Sequence, residues 1–250
     1  MTSTKKTSLE QELKTELYGQ GAAFICFVDI SHLSEKQNRG YSNAILFGLP
    51  LSPGFIQKLT RMPGYVQEMI RSNQIEEDEF HQKECRTDKM ADVIADYIRT
   101  KGHNASSQSE KNICATGFYH EASKSTPLPH KTVAGMAGLG WIGKHNLLVT
   151  EKFGSAVSMC TVLTDAPLKT VLHSPLKSQC GDCDICKQVC AVHAIRGNSW
   201  SIRTTRDNLI DVNKCNTCLQ CMIFCPWTQK YMKNRMETVR TGGNRFRDAD

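Results

Sequence analysis

The sequence predicts a mixed α/β (α+β) domain followed by a small cysteine-rich module. Three observations carry that prediction: two β-like runs near the amino end, an amphipathic helical pattern from Asp88 to Lys101, and eight cysteines in a duplicated phrase between Cys180 and Cys225. Strands mixed with helices extend to about Ser174 and give a first domain over residues 1–174. The cysteine phrase gives a second over 175–230, and 231–250 reads as a basic tail.

Met1–Lys6 is polar and is expected to be disordered, after which Leu9, Leu13 and Leu17 recur at helical spacing. Thr7 with Glu10 matches a capping box, and Gly19 or Gly21 would stop the helix. Ala22–Ile30 and Asn43–Leu49 read as strands, the second closed by Pro50. Pro63–Phe80 is read as helical, with Ile75–His81 as an acidic solvated face. In Asp88–Lys101 the apolar residues Met90, Val93, Ile94, Tyr97 and Ile98 share one helical face, and Gly102 ends the helix. After a loop rich in Ser and Pro, Lys131–Ala137 is predicted as a short helix, and Asn146–Thr150 and Ala156–Thr164 as strands. Cys26 and Cys160 fall in the apolar strand patterns as small core residues, whereas Cys85 and Cys114 have polar surroundings.

No charged segment followed by an apolar one opens the chain, and the first apolar run, Ala22–Val28, is cut by Asp29. The expectation is therefore a cytoplasmic protein with no membrane segment, in which dense cysteines mean metal or redox chemistry rather than disulfides.

The cysteines specify which. Cys180, Cys183, Cys186 and Cys190, then Cys215, Cys218, Cys221 and Cys225, each spell C-x2-C-x2-C-x3-C. Two residues between thiolates let one loop aim three sulfurs at three irons of a cube, while the fourth cysteine reaches the other cube. On that rule Cys180, Cys183, Cys186 and Cys225 hold one [4Fe-4S] cluster, and Cys215, Cys218, Cys221 and Cys190 the other. Pro226 follows the last cysteine as the ferredoxin phrase expects, and Ala191 takes the corresponding place in the first half. Structural zinc can use cysteines, but it does not call for the third evenly spaced cysteine or the crossed pair. The formal charge of +6 overstates the basicity of the loaded protein. Two oxidised cubes would lower it to about +2, which weakens the case for nucleic acid.

Gly138-Leu139-Gly140-Trp141-Ile142-Gly143-Lys144-His145 satisfies G-x-G-x-x-G and nearly satisfies the P-loop pattern. Both readings fail on context. A dinucleotide fingerprint needs strand, glycines, then helix, and here helix precedes and strand follows. A P-loop needs Ser or Thr where His145 stands. Two readings remain: a glycine-rich helix stop with Trp141 packed beneath it, or a flat backbone surface for a large cofactor. The second would engage Gly138, Leu139, Gly140, Trp141, Gly143 and Lys144.

The run from Pro127 to Leu168, with Ala137-Gly138-Leu139-Gly140-Trp141-Ile142-Gly143-Lys144 and Leu163-Thr164-Asp165-Ala166-Pro167-Leu168 ahead of the two cysteine phrases, resembles the epoxyqueuosine reductase family. More distantly it resembles reductive dehalogenases. The resemblance implies a nitroreductase-like domain that binds cobalamin and a bacterial ferredoxin-like module that feeds it electrons. Two departures bear on chemistry. That family carries an acidic proton donor three residues before the proline opening the run and a glutamate three residues after it; here the positions hold Lys124 and His130. Lys124, His130 and Tyr119 are the candidate proton donors. Only 24 residues follow Pro226, so a helical-repeat extension for tRNA is not expected.

The basic residues Lys230, Lys233, Arg235, Arg240, Arg245 and Arg247 read as a solvated, partly helical tail, or as a contact for an acidic partner such as a flavodoxin-like donor or RNA. The Gly242-Gly243 pair argues against a packed end. Two functions follow from these readings. One is a reductase taking electrons from a ferredoxin- or flavodoxin-type donor, through the clusters and a corrinoid, to a small organic substrate. The other is an electron-transfer or corrinoid-handling protein with no substrate of its own. Epoxyqueuosine reduction on tRNA is the minor option.

Overall fold

The computed structural model describes residues 7–240. In chain order its regular elements are α1 (Leu9–Gly19), β1 (Phe24–Asp29), α2 (Glu35–Asn38), β2 (Asn43–Pro50), α3 (Pro53–Arg61), α4 (Tyr65–Arg71), α5 (Glu79–Thr100), β3 (Ala105–Ser107) and α6 (Glu110–Ala115). Then follow α7 (His130–Met136), β4 (Trp141–Ile142), β5 (Leu148–Val149) and β6 (Val157–Thr164). The cysteine-rich part contributes α8 (Ile185–Gln188), α9 (Gln220–Ile223) and α10 (Pro226–Arg240). Met1–Lys6 and the Gly242-Gly243, Arg245 and Arg247 positions lie outside the described residues.

The centre is an antiparallel four-stranded sheet in the order β1-β2-β6-β3, so the mixed fold is α+β in its strand pairing. Period-two alternation divides its side chains between two helical layers. Phe27, Ile45, Phe47, Cys160 and Val162 face Leu13 and Leu17 of α1 and Met90, Ile94 and Ile98 of α5. Val28, Ala44, Leu46 and Leu163 face the opposite way, into a core shared with α3, α7, α9 and α10. Both faces are covered, which is why the strands read as nearly continuous apolar runs.

Local chemistry moved several boundaries. The capping box of α1 is Ser8 with Gln11, one residue beyond the expected Thr7 and Glu10. The expected helix over Pro63–Phe80 is interrupted. Asn73, at φ 56°, follows α4, a short 3-10 turn spans Ile75–Glu77, and the Asp78 carboxylate accepts the His81 N–H at 3.0 Å to start a new helix. Helix α5 therefore begins well before Asp88. Helix α3 was not anticipated, although Ser52 followed by Pro53 is a start signal: Ser52 Oγ accepts the Phe55 N–H at 3.1 Å.

The cysteine-rich part packs onto the sheet rather than hanging from it. Leu219, Met222, Ile223 and Tyr231 join the core that contains Phe24 and Leu46. The basic tail expected from residue 231 starts inside a helix: α10 runs to Arg240 with Lys230, Lys233 and Arg235 exposed, while Tyr231 is buried and its hydroxyl donates to the Leu51 carbonyl at 2.9 Å. The boundary expected near Ser174 falls in the irregular run between β6 and α8. Among the described residues no helix is long and apolar enough to cross a membrane.

Candidate functional site: two cysteine sets beside a polar cavity

Each cysteine phrase ends in a short helix, α8 or α9, that turns its later cysteines inward. The sulfurs group in the crossed sense. Burial, and then the neighbouring Cys180, Cys183 and Cys225, push the Cys186 thiol up to about 11. Burial, and then Cys218, Cys215, Cys186 and Cys190, raise Cys221; Cys218 is raised by burial and has Cys190 and Cys215 beside it. Cys225 therefore lies near Cys186 of the first phrase and Cys190 near Cys218 of the second, while Cys221 has both Cys186 and Cys190 beside it. All of these cysteines are free thiols, and proton release on metal binding would remove the cost of crowding them as thiolates. No three His, Cys, Asp or Glu side chains among the described residues close around a single-ion point. A cube does not ask them to, because each thiolate holds a different iron.

A cavity of about 740 Å³ opens between α5, α6, the amino end of α7, β6 and the second cysteine phrase. Its polar lining includes Glu84, Asp88, Gln108, Tyr119, His130 and Lys131, and Thr217, between Cys215 and Cys218, forms part of the same wall. An adjoining cavity of about 640 Å³ shares Tyr119, His130 and Lys131 and adds Lys124 and Arg206.

Helix α7 starts at His130, so His130 and Lys131 both stand in its first turn. His130 Nδ1 lies 2.9 Å from Thr161 Oγ1 on β6, and burial pushes the ring down to about 4, so it is neutral at pH 7. Lys131 Nζ donates to the Asn146 carbonyl at 2.8 Å. Burial, and then Arg206, bring it down to about 8. Opposite, Glu84 and Asp88 are one turn apart on α5. Burial, and then Asp88, Glu110 and Asp78, push Glu84 up to about 7, and burial also raises Asp88, whose Oδ2 accepts the Glu110 N–H at 2.9 Å. Gln108 is 4% exposed, and its Nε2 has no hydrogen-bond partner. A buried donor left unpaired in a cavity wall is a place for a ligand acceptor.

Of the three expected proton donors, Tyr119 and His130 line both cavities, while Lys124 lines only the outer one. Lys124 is exposed, at φ 46°, and its carbonyl accepts from Arg206 Nη1 at 2.7 Å, with the Ser123 carbonyl held by the same guanidinium. Arg206 thus ties the loop to the cysteine-rich part. Sequence reading missed Lys131, Gln108, Glu84 and Asp88. The spacing of Glu84 and Asp88 on one helical face was the available signal; Lys131 and Gln108 carry none without the fold.

Three glycines of the stretch are crowded by the chain's own atoms. A Cβ at Gly140 would lie 2.1 Å from the Val149 carbonyl oxygen, one at Gly143 2.7 Å from His145 Cε1, and one at Gly138, at φ 69°, 3.2 Å from the His173 ring. At these three positions a side chain would collide with or press on the protein's own atoms, so glycine is required whatever else the stretch does. Trp141 is buried, edge-on to Trp227 with centroids 4.9 Å apart; Lys144 is buried, and Leu139 packs against the sheet core. Gly140 and Trp141 do reach the wall of a third cavity, of about 600 Å³, with His173, Leu176, Trp200 and Ile202.

No family model matches the chain. The epoxyqueuosine reductase of Aliivibrio fischeri is 31% identical to it over 127 residues, covering 45% of this chain and 34% of that protein. The epoxyqueuosine reductase of a Synechococcus strain is 44% identical over 72 residues, covering 29% and 22%. Over these stretches the chain is similar to epoxyqueuosine reductases. The matched region spans about a third of the first of these relatives and less of the second. Solved structures extend the likeness at the level of fold. A catabolic reductive dehalogenase superposes with a TM-score of 0.64 at 18% identity, covering 91% of this chain and 33% of the dehalogenase. The epoxyqueuosine reductase of Bacillus subtilis superposes with a TM-score of 0.53 at 15% identity, covering 88% and 65%. Another reductive dehalogenase, whose structure is described as suggesting a mechanism for B12-dependent dehalogenation, gives 0.61 at 17% identity, covering 96% and 36%.

Proposed function

We propose that the chain is an iron-sulfur oxidoreductase whose two [4Fe-4S] clusters deliver electrons to a cobalamin, for reductive chemistry on a small organic substrate. One observation carries the reading. The cavity that contains Tyr119, His130 and Lys131 is also walled by Thr217 and Met222 of the cysteine-rich part, so proton-bearing groups and the electron source share a single space.

The residues present suit both groups. Eight thiols in two crossed sets are the donor set of two cubes. The inner cavity with its neighbour offers room for a large ligand, and Gln108 Nε2 offers it an unspent donor. When bound there, a corrinoid would supply the electron-rich centre that reductive removal of a leaving group needs.

The chain's own residues handle the proton. Lys131, near 8, holds a proton at neutral pH and releases it more readily than an ordinary lysine, as a general acid requires. His130 stays neutral and is oriented by Thr161. Tyr119 faces both cavities, and Lys124 stands at the outer one, where its charge would meet a departing anion. Epoxyqueuosine reduction is the lesser option, because Lys124 and His130 stand where the resemblance expects carboxylates.

The test is anaerobic. Clusters are reconstituted, cob(II)alamin is added, and optical and EPR spectra are recorded before and after dithionite. A perturbed corrinoid spectrum that changes on reduction is expected; no corrinoid binding would leave only a two-cluster electron carrier.

A further inference from the structure

The turn that carries Lys124 is closed on itself and held to the fold from one side. Residues 119–124 are exposed, and none of them joins the buried apolar clusters of the described residues. The His120 N–H donates to the Ser125 carbonyl at 2.9 Å, the Lys124 N–H to the Glu121 carbonyl at 3.1 Å, and the Ser123 and Ser125 hydroxyls lie 2.8 Å apart. Lys124 takes φ 46°, a left-handed conformation that a lysine keeps only where its surroundings hold it. Among the described residues, the hydrogen bonds that join positions 120–125 to the rest of the fold are those of Arg206, from Nη1 to the Lys124 carbonyl at 2.7 Å and from Nη2 to the Ser123 carbonyl.

Arg206 itself stands on a firm base. It opens a 3-10 turn, Arg206–Asn208, and its carbonyl accepts the Leu209 and Ile210 N–H groups at 2.8 and 3.0 Å. Leu209 and Ile210 are buried, and Ile210 bridges to Ile195 within the core that contains Cys186 and Cys190. Arg196 Nε donates to the Asp207 carbonyl at 2.6 Å, and the Asp207 carboxylate lies 3.9 Å from Arg206 Nε. The guanidinium thus projects from the cysteine core with both terminal nitrogens spent on one turn. A planar fork satisfies two neighbouring carbonyls at once, where an ammonium is a single point charge.

We propose that Arg206 is a positioning residue for the proton-bearing groups of the outer cavity: its two-carbonyl clamp fixes the Lys124 turn at the cavity mouth, and its charge stands beside Lys131. The cysteine-rich part thereby sets where the proton donors lie. The inference rests on the functional reading above. Arg206, Lys124, Tyr119 and Lys131 all line the 640 Å³ cavity, so the guanidinium that holds the turn also faces the second lysine. Burial, and then this charge, keep Lys131 below the ordinary lysine range.

Hydrogen exchange read by mass spectrometry, on the reconstituted full chain, tests this with Arg206→Gln and Arg206→Lys. In Arg206→Gln the peptide covering 119–126 is expected to exchange about tenfold faster, while peptides from α5 and β6 stay as in the parent. Arg206→Lys keeps the charge and loses the fork, so it should loosen the same peptide. A carbon-13 titration of the methylated lysines separates the two roles: the Lys131 resonance should stay near 8 in Arg206→Lys and move upward in Arg206→Gln. If Arg206→Gln does not load its clusters, Arg206→Lys carries the exchange comparison. An unchanged 119–126 peptide in a loaded variant, or faster exchange spread evenly over the chain, overturns the proposal. A Lys131 titration identical in parent and both variants reduces Arg206 to a structural tie and overturns it as well. Neither measurement uses substrate or corrinoid, so a parent that binds no cob(II)alamin defeats the functional reading while the exchange result stands by itself.

Discussion

Lys131 Nζ donates a hydrogen bond to the Asn146 carbonyl oxygen at 2.8 Å, tying the first turn of α7 to the turn between β4 and β5. The bond keeps an amine inside a wall that burial makes unfavourable for charge. The folded value of about 8 lies below the ordinary 10.5, so the unfolded chain binds more protons between those limits, and this group's contribution to stability rises with pH across that window. With a substrate in hand, an acid of this kind gives a rate that falls as pH rises through about 8. Lys131→Met should lower turnover by about 10²-fold while leaving cluster and corrinoid spectra in place. A carbon-13 NMR titration of methylated lysines checks the value directly: one resonance should titrate near 8 and vanish in Lys131→Met.

Glu84 shifts in the opposite sense. Its folded value of about 7 exceeds the ordinary 4.5, so the folded chain binds more protons between those limits and stability is lost as pH rises through them. Glu84→Gln should match the parent at pH 4.5 and exceed it at pH 8, by ~1 kcal/mol once solvent screening at the cavity mouth is allowed for. Urea unfolding at the two pH values measures the difference.

Crossed ligation is directly testable. Cys225→Ala should perturb the same EPR signal as Cys180→Ala, and Cys190→Ala the same signal as Cys215→Ala. If instead Cys190→Ala matches Cys180→Ala, each phrase holds its own cube.

Gly140→Ala puts a methyl group 2.1 Å from the Val149 carbonyl oxygen, which is backbone and cannot swing aside. A loss of about 3 kcal/mol is expected in denaturant unfolding, and it should appear with or without corrinoid, since the clash is internal. A loss seen only in corrinoid affinity would return this glycine to a cofactor role.

Tyr231→Phe removes the hydroxyl that satisfies the Leu51 carbonyl and should cost about 1 kcal/mol; Tyr231→Ala, which also empties the site, should cost about 3–5 kcal/mol. Thermal melts of the cluster-loaded protein distinguish this packed helix from a solvated tail.

Much of the framework was legible because it is written in local periods. The short apolar runs Asn43–Leu49 and Ala156–Thr164 mark strands buried on both faces, and the shared face of Met90, Ile94 and Ile98 marks a helix, because helical backbone geometry repeats every 3.6 residues. The cysteine spacing is legible for the same reason, since a loop of fixed length aims its sulfurs in fixed directions. The helix starts at Ser8 and Asp78 were misplaced because several polar residues in each neighbourhood can cap, and only the packed chain selects one.

By itself, then, the sequence determined the central strands, the long helix, the duplicated cysteine phrase and a resemblance to a known family. Tertiary structure alone decided that Lys131, Gln108 and Glu84 share a cavity with Thr217, that the glycines answer to Val149 and His145, and that Ser155 meets Thr228 and His145. Those facts depend on desolvation and on contacts between residues distant in the chain, and neither leaves a period in the sequence for a reader to find.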